Sequence, residues 1–181
     1  MVSKKIIFFL FLTLISCKYN GVVSEYGLPR KKINFFSQSI YSKKIDTLSI
    51  YKNILNYKYN KQNKSYDYFE KTTTNSYKYV SYLKFYTNCK LGLFIIPKKD
   101  TLKLERSFFN PKKAKMGYYE VNENLIKTRN STIGGVSFFI VNQHGVINGD
   151  SIKLIDKNQG VNIYIKKEVS KQLLNDWKPD W

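Results

Sequence analysis

Histidine is all but missing from this chain. His144 is the single one in 181 residues. That rules out a His-rich zinc site, and neither C-x-x-C nor H-E-x-x-H occurs. A hydrolase triad could be built only around His144, and no G-x-S-x-G elbow accompanies it. Its neighbours Asn142, Gln143 and Gly145 read as a polar turn, with His144 exposed on it. Cysteine is nearly as scarce. Two residues, Cys17 and Cys89, are too few for a disulfide framework. Acidic residues number 13 against 31 lysines and arginines. Asp46, Asp67, Glu70, Asp100, Glu105, Glu120, Glu123, Asp150 and Asp156 are scattered, so a glycosidase pair is not indicated. Asp150 and Asp156 lack calcium-loop spacing. No glycine-rich phosphate loop is present, and Gly134-Gly135 reads as a strand bend or bulge. The apolar run from Ile6 to Ile15 is broken only by Thr13. It has half the length a helix needs to cross about 30 Å of hydrocarbon. These absences argue for a protein that is not an enzyme and carries no cofactor or metal.

What the N-terminus does hold is a pattern. Lys4 and Lys5 precede the apolar run, and Ser16 ends it just before Cys17. A basic start, a short apolar stretch and a small residue at the cut site describe a secretory signal peptide. The sequence Leu14-Ile15-Ser16-Cys17 resembles the lipobox of bacterial lipoproteins. The resemblance implies cleavage after Ser16 and a diacylglycerol thioether on Cys17. Two or more acyl chains anchor durably, where one binds marginally. With Cys17 assigned to lipid, Cys89 has no disulfide partner and reads as a turn or buried residue. Lys18 gives no acidic retention signal. By resemblance to other lipoproteins the destination is the outer membrane of the cell envelope. The expected layout is a signal peptide at 1–16, a lipidated tether at 17–42 and a β-rich domain at 43–181.

Charge points to partners. The net charge is +18, and loss of the signal with its two lysines leaves +16. For an exported protein the natural anionic partners are phospholipid headgroups or lipopolysaccharide phosphates, not nucleic acid. The basic pairs are scattered along the chain, as on a solvated surface. Aromatic content is 16%, with 15 tyrosines, which suits half-exposed sheet positions.

Periodicity supplies the fold class. Ile45 to Tyr59 fits either a helix face or strand alternation, and its β-branched and aromatic content favours a strand. Asn60 to Asn75 reads as a polar loop. From Tyr77 onward, strands are expected at Tyr77–Thr87, Leu91–Ile96, Leu102–Phe108, Met116–Val121, Leu125–Thr128, Val136–Val141, Ser151–Ile155 and Val161–Lys166. Turn signals separate them every 8–12 residues or so, the rhythm of an antiparallel meander closing into a barrel or sandwich. Val169, Leu173 and Trp177 predict a short C-terminal helix. Trp177 and Trp181 read as a hydrophobic clasp closing one end of the sheet.

The stretches Tyr82-Leu83-Lys84-Phe85-Tyr86-Thr87-Asn88, Gly117-Tyr118-Tyr119-Glu120-Val121 and Ile147 to Leu154 resemble small lipocalin-like envelope lipoproteins of Gram-negative bacteria. That likeness implies an up-and-down β-barrel with an apolar cup. The function expected is a non-enzymatic module, held to the membrane by lipid on Cys17, that binds a small apolar or amphiphilic ligand. The alternative is an interaction lipoprotein that holds an anionic envelope component through its basic surface.

Overall fold

The computed structural model describes residues 21–31, 33, 44–60, 62–67, 78–134 and 137–181. The expected signal peptide, Cys17, Glu70 and Gly135 lie outside the described residues.

Among the described residues nine strands follow one another: β1 (Ile50–Asn60), β2 (Ser65–Asp67), β3 (Tyr79–Phe85), β4 (Lys90–Pro97), β5 (Lys115–Asn122), β6 (Leu125–Gly134), β7 (Ser137–Asn148), β8 (Ser151–Asp156) and β9 (Gly160–Lys167). Each hydrogen-bonds to its neighbour in sequence, except that β2 pairs back on β1 and β1 pairs with β3. The closing contact joins β1 to β9, from Ile50 opposite Lys167 to Lys58 opposite Gly160. The fold is therefore a closed antiparallel barrel of eight strands, with β2 as one extra strand. Closure leaves the ring without a free edge. The shift in β1 between Asn53 and Leu55 is a bulge, which bends the strand where it must pair on both sides.

Register decides the interior, because directly paired residues share a face. Tyr51, Leu83, Phe85, Leu91, Tyr119, Val121, Ile126, Ile152, Leu154 and Tyr164 form one buried cluster. Phe85 holds it together, with its ring edge-on to Tyr51 at 5.2 Å and to Tyr119 at 4.9 Å. Full burial of a side chain of this size stabilises by about 1.5–3 kcal/mol. Ile45, from the segment before β1, joins the same cluster. Lys44 and Asp46 hold that segment in place. The Lys44 ammonium donates to Asn124, and the Asp46 carboxylate accepts from Leu48 N–H and the Ser49 hydroxyl.

Further along, the interior turns polar. Asn53, Thr128 and Asn130 are buried, and they share the inward register of Tyr164, Tyr119 and Gly117. Asn130 Nδ2 donates to Gln143 Oε1 at 3.4 Å, and Gln143 lies opposite Thr128. This corrects the turn expected at Asn142 to Gly145. β7 runs straight through these residues, and His144 pairs with Lys127 and Ile155 within the strand. The run looked like a turn because polar residues occupy both faces. Asn142 and His144 are exposed outside, while Gln143 meets the amides within. Gly145 is required there: a Cβ would stand 1.7 Å from the Lys153 carbonyl oxygen.

A second apolar layer lies outside the wall. Ile50, Val80, Tyr82, Phe94 and Ile96 pack with Phe109 and Ala114. β3 and β4 are thus covered on both faces, which explains their near-continuous apolar sequence. The cover comes from residues 98–113, expected to include a strand at Leu102–Phe108. Three short 3-10 turns stand there instead, at Lys98–Leu102, Arg106–Phe109 and Pro111–Lys113. The alternation failed because β4 and β5 already pair with each other and leave the segment no partner strand. Leu102 points to solvent at 94% exposure. Phe109 inserts instead, edge-on to Tyr82 and Phe94.

The expected C-terminal helix is present as α1 (Lys171–Leu174). Asp176 at φ 64° takes the left-handed region just beyond it. Val169, Leu174, Trp177 and Trp181 pack against the outer cluster, so the two indoles cover the wall of the barrel. The segment expected as a tether is also engaged in part. Val23 bridges to Pro29, and the Arg30 side chain is only 3% exposed. Its guanidinium donates to the carbonyls of Pro29, Ala114, Pro111 and Lys112, and to Asp180 at 2.9 Å. It also lies 5.0 Å from the centre of the Trp181 ring. One arginine therefore ties both ends of the described chain to the barrel.

Candidate functional site

The apolar half of the barrel interior is filled by its own side chains. Phe85, Leu91, Ile152 and Leu154 are fully buried, and Ile45 adds to the same packing. The apolar cup implied by the lipocalin-like resemblance is therefore not found among the described residues. A cavity of about 480 Å³ lies elsewhere, between the barrel and its C-terminal segment. Volumes of this order accept small-molecule ligands.

Three elements build it. Thr47 and Leu48 come from the segment before β1. Lys84 and Phe85 end β3, and Tyr86, Thr87 and Asn88 form the turn into β4. Lys171, Leu174, Asn175, Trp177, Lys178 and Pro179 supply the far wall. The turn is tight because Cys89 adopts φ 59°, with its side chain buried in the core. This agrees with its reading as a buried turn residue. The far wall is gripped by Arg106, which donates to the Asn175 carbonyl and lies 4.8 Å over the Trp177 ring. Trp181 Nε1 donates to the Gly117 carbonyl, and its ring meets Tyr86 edge-on.

Lys84 is the unusual residue here. It shares the outward face of β3 with Val80 and Tyr82, both buried in the outer layer. The segment before β1 and the C-terminal segment enclose it to 5% exposure. Its ammonium donates to the Thr47 carbonyl and stands 5.8 Å from the Tyr86 ring. Burial pushes its pKa down to about 8, and the Asp46 carboxylate offsets part of that. Burial likewise pushes the Tyr86 hydroxyl up, with Asp180 adding to the effect. Two buried donors on this wall, Tyr86 Oη and Trp177 Nε1, have no hydrogen-bond partner. Such groups normally find one, so each unpaired donor asks for an explanation.

Comparison with family models, with curated proteins and with solved structures gives no match. Function must therefore be argued from the site itself.

The residues singled out by sequence do not gather here. His144 is on β7, away from the pocket lining. The carboxylates stay apart: among the described residues no three of His, Cys, Asp and Glu stand close enough to hold a metal ion. Trp177 does line the cavity, so the tail combines a covering role with a place on the cavity wall. Lys84 was missed as a site residue. The available signal was a lysine on a strand face otherwise made of Val80 and Tyr82, a polar break in an apolar row. With no acid in the lining and three lysines in it, the cavity is cationic. It can bind and orient an electron-rich group.

Proposed function

We propose that this chain is a lipid-anchored β-barrel module of the cell envelope that holds a small amphiphilic ligand and performs no chemistry on it. The lipid is on Cys17, and the outer membrane is the destination. The observation that carries the binding role is the cavity beside the barrel. It combines apolar surface from Leu48, Leu174, Trp177 and Pro179 with the ammonium groups of Lys84, Lys171 and Lys178. An amphiphile matches both parts: its chain or ring displaces water from the apolar wall, and its head meets the lysines. The anchor adds proximity. Three residues lie between Cys17 and Gly21, where the described chain begins, a span of at most about 14 Å when extended. The barrel therefore rides close to the bilayer, where amphiphiles are concentrated.

Native mass spectrometry tests this reading. The mature protein, purified from its own envelope in a mild detergent, should carry a discrete added mass beyond its lipid. Organic extraction should remove that mass. A chain with lipid on Cys17 and no further adduct, even after incubation with an envelope extract, would overturn the binding role. The basic surface would then be the face to pursue.

A further inference from the structure

We infer that the apolar tip of the β6–β7 hairpin, with the lysines beside it, docks on an anionic phospholipid surface. The inference rests on the membrane-anchored reading above and gives the barrel an orientation on that membrane. It begins from register. β5 pairs with β6 only as far as Gly117 opposite Asn130, and β8 pairs with β7 only from Asp156 opposite Gln143. Beyond those points, among the described residues, Ser131 to Gly134 and Ser137 to Ile140 pair only with each other. Both faces of this ladder are apolar. Ile133, Phe138 and Ile140 follow the outward register, and Phe139 follows the inward one, opposite Thr132. Ile133 and Ile140 are 41% exposed and Phe139 is 50% exposed. An antiparallel sheet in water normally gives one face to polar residues. Large apolar residues left together in solvent mark an interaction site.

The anchor leaves the barrel beside this tip. The described chain starts at Gly21, and the Val22 carbonyl accepts from the Arg30 N–H at 2.7 Å. The next residue, Lys31, sets its ammonium 5.6 Å from the centre of the Phe138 ring. A lipid on Cys17 is at most about 14 Å of extended chain from Gly21. It therefore brings hydrocarbon to the side of the molecule that carries the hairpin. Val22 and Tyr26 are exposed on that side as well. Charge complements the apolar surface. Lys115 donates to the Thr132 hydroxyl within the hairpin, and Lys113 lies 5.2 Å over the Tyr26 ring. Among the described residues the ion pairs here are Lys112 with Glu25 and Arg30 with Asp180. Lys31, Lys113 and Lys115 remain as surplus positive charge. Lysines drawn to anionic headgroups, with aromatic and aliphatic side chains entering the acyl boundary, are the chemistry of interfacial docking. A second copy of the chain would bring the same positive charge to this face and be repelled.

Phe139→Trp places a reporter on the tip, and the parent, with Trp177 and Trp181 alone, supplies the background. Both proteins would be purified from their own envelope and reconstituted into vesicles with brominated acyl chains. One set of vesicles is phosphatidylcholine, and the other contains phosphatidylglycerol as well. The added indole should be quenched and should emit further to the blue. The ratio of docked to free protein should be at least about 5-fold higher on the anionic lipid, the gain from one lysine at such a surface. Salt at about 1 M should remove most of that preference. Ile133→Ser with Ile140→Ser should lower the ratio about 10-fold, since two half-exposed side chains no longer leave water. Absence of added quenching in both vesicles, or equal quenching in both, would overturn the proposal. So would an emission shift that follows protein concentration instead of lipid, which would give the tip to a second copy. The mass of the same preparation separates this failure from that of the anchor. Lipid on Cys17 without quenching keeps the anchor and discards the docking face. Quenching on a chain without that lipid keeps the docking face and discards the anchor.

Discussion

Lys84→Met should make the protein more stable at neutral pH, and the gain should vanish in alkali. Burial lowers the Lys84 pKa from its ordinary 10.5 to about 8. Between those two values the unfolded chain binds a proton that the folded chain does not. Stability contributed by this residue therefore rises with pH across that window. Below pH 8 the full cost of holding the ammonium in the wall is present, about 3 kcal/mol at 1.36 kcal/mol per pKa unit. Above pH 10.5 it is gone. Methionine fills similar space without a charge, but it leaves the Thr47 carbonyl without its donor, which costs about 1–2 kcal/mol. The variant should thus gain about 1–2 kcal/mol at pH 7, and fall level with or below the parent by pH 10. Urea unfolding of both proteins at pH 7, 8.5 and 10 measures this. Tyrosines and other lysines titrate alike in both chains and cancel in the difference. A stability difference that stays constant across the three pH values would refute the argument. So would a variant that is several kcal/mol less stable at pH 7.

Three further outcomes are expected. Arg30→Ala removes a buried guanidinium that serves four carbonyls and Asp180. It should cost about 2–4 kcal/mol, and hydrogen exchange should speed up in residues 171–181 more than in the barrel strands. Gly145→Ala forces a Cβ into the Lys153 carbonyl. Pairing of β7 with β8 should suffer, with a loss of more than about 3 kcal/mol in a thermal melt. An unchanged melting curve would mean that the strands can part there at little cost. Cys17→Ser should move the protein from the membrane fraction to the soluble fraction on cell fractionation; retention in membranes would contradict the lipid anchor.

The fold class was readable because its cause is local. Strand-length apolar segments separated by turn signals leave an antiparallel sheet little choice, and Asn122 to Leu125 and Asn148 to Ser151 turn as the residues suggest. Two errors have a shared origin in burial that sequence does not display. Leu102 to Phe108 alternates well enough for a strand, yet the sheet had no place for it, and Phe109 became its anchor on the wall. Asn142 to Gly145 looked like a turn because an interior was assumed to be apolar throughout. The site was less legible than the fold. Alternation along the strand expected at Tyr77–Thr87 sets Lys84 on the face opposite Leu83 and Phe85 but does not say what covers that face. The segment before β1 and the C-terminal segment, more than 80 residues later, enclose it. That contact depends on Arg106 and Arg30 gripping the tail, a long-range pairing with no sequence motif.

The most direct test of the account is a crystal structure of the mature protein isolated from its own envelope without a stripping step. Density for a non-protein molecule is predicted in the cavity that Leu48, Lys84, Leu174 and Trp177 line. A cavity holding only water, with the bound molecule inside the barrel or absent, would contradict it.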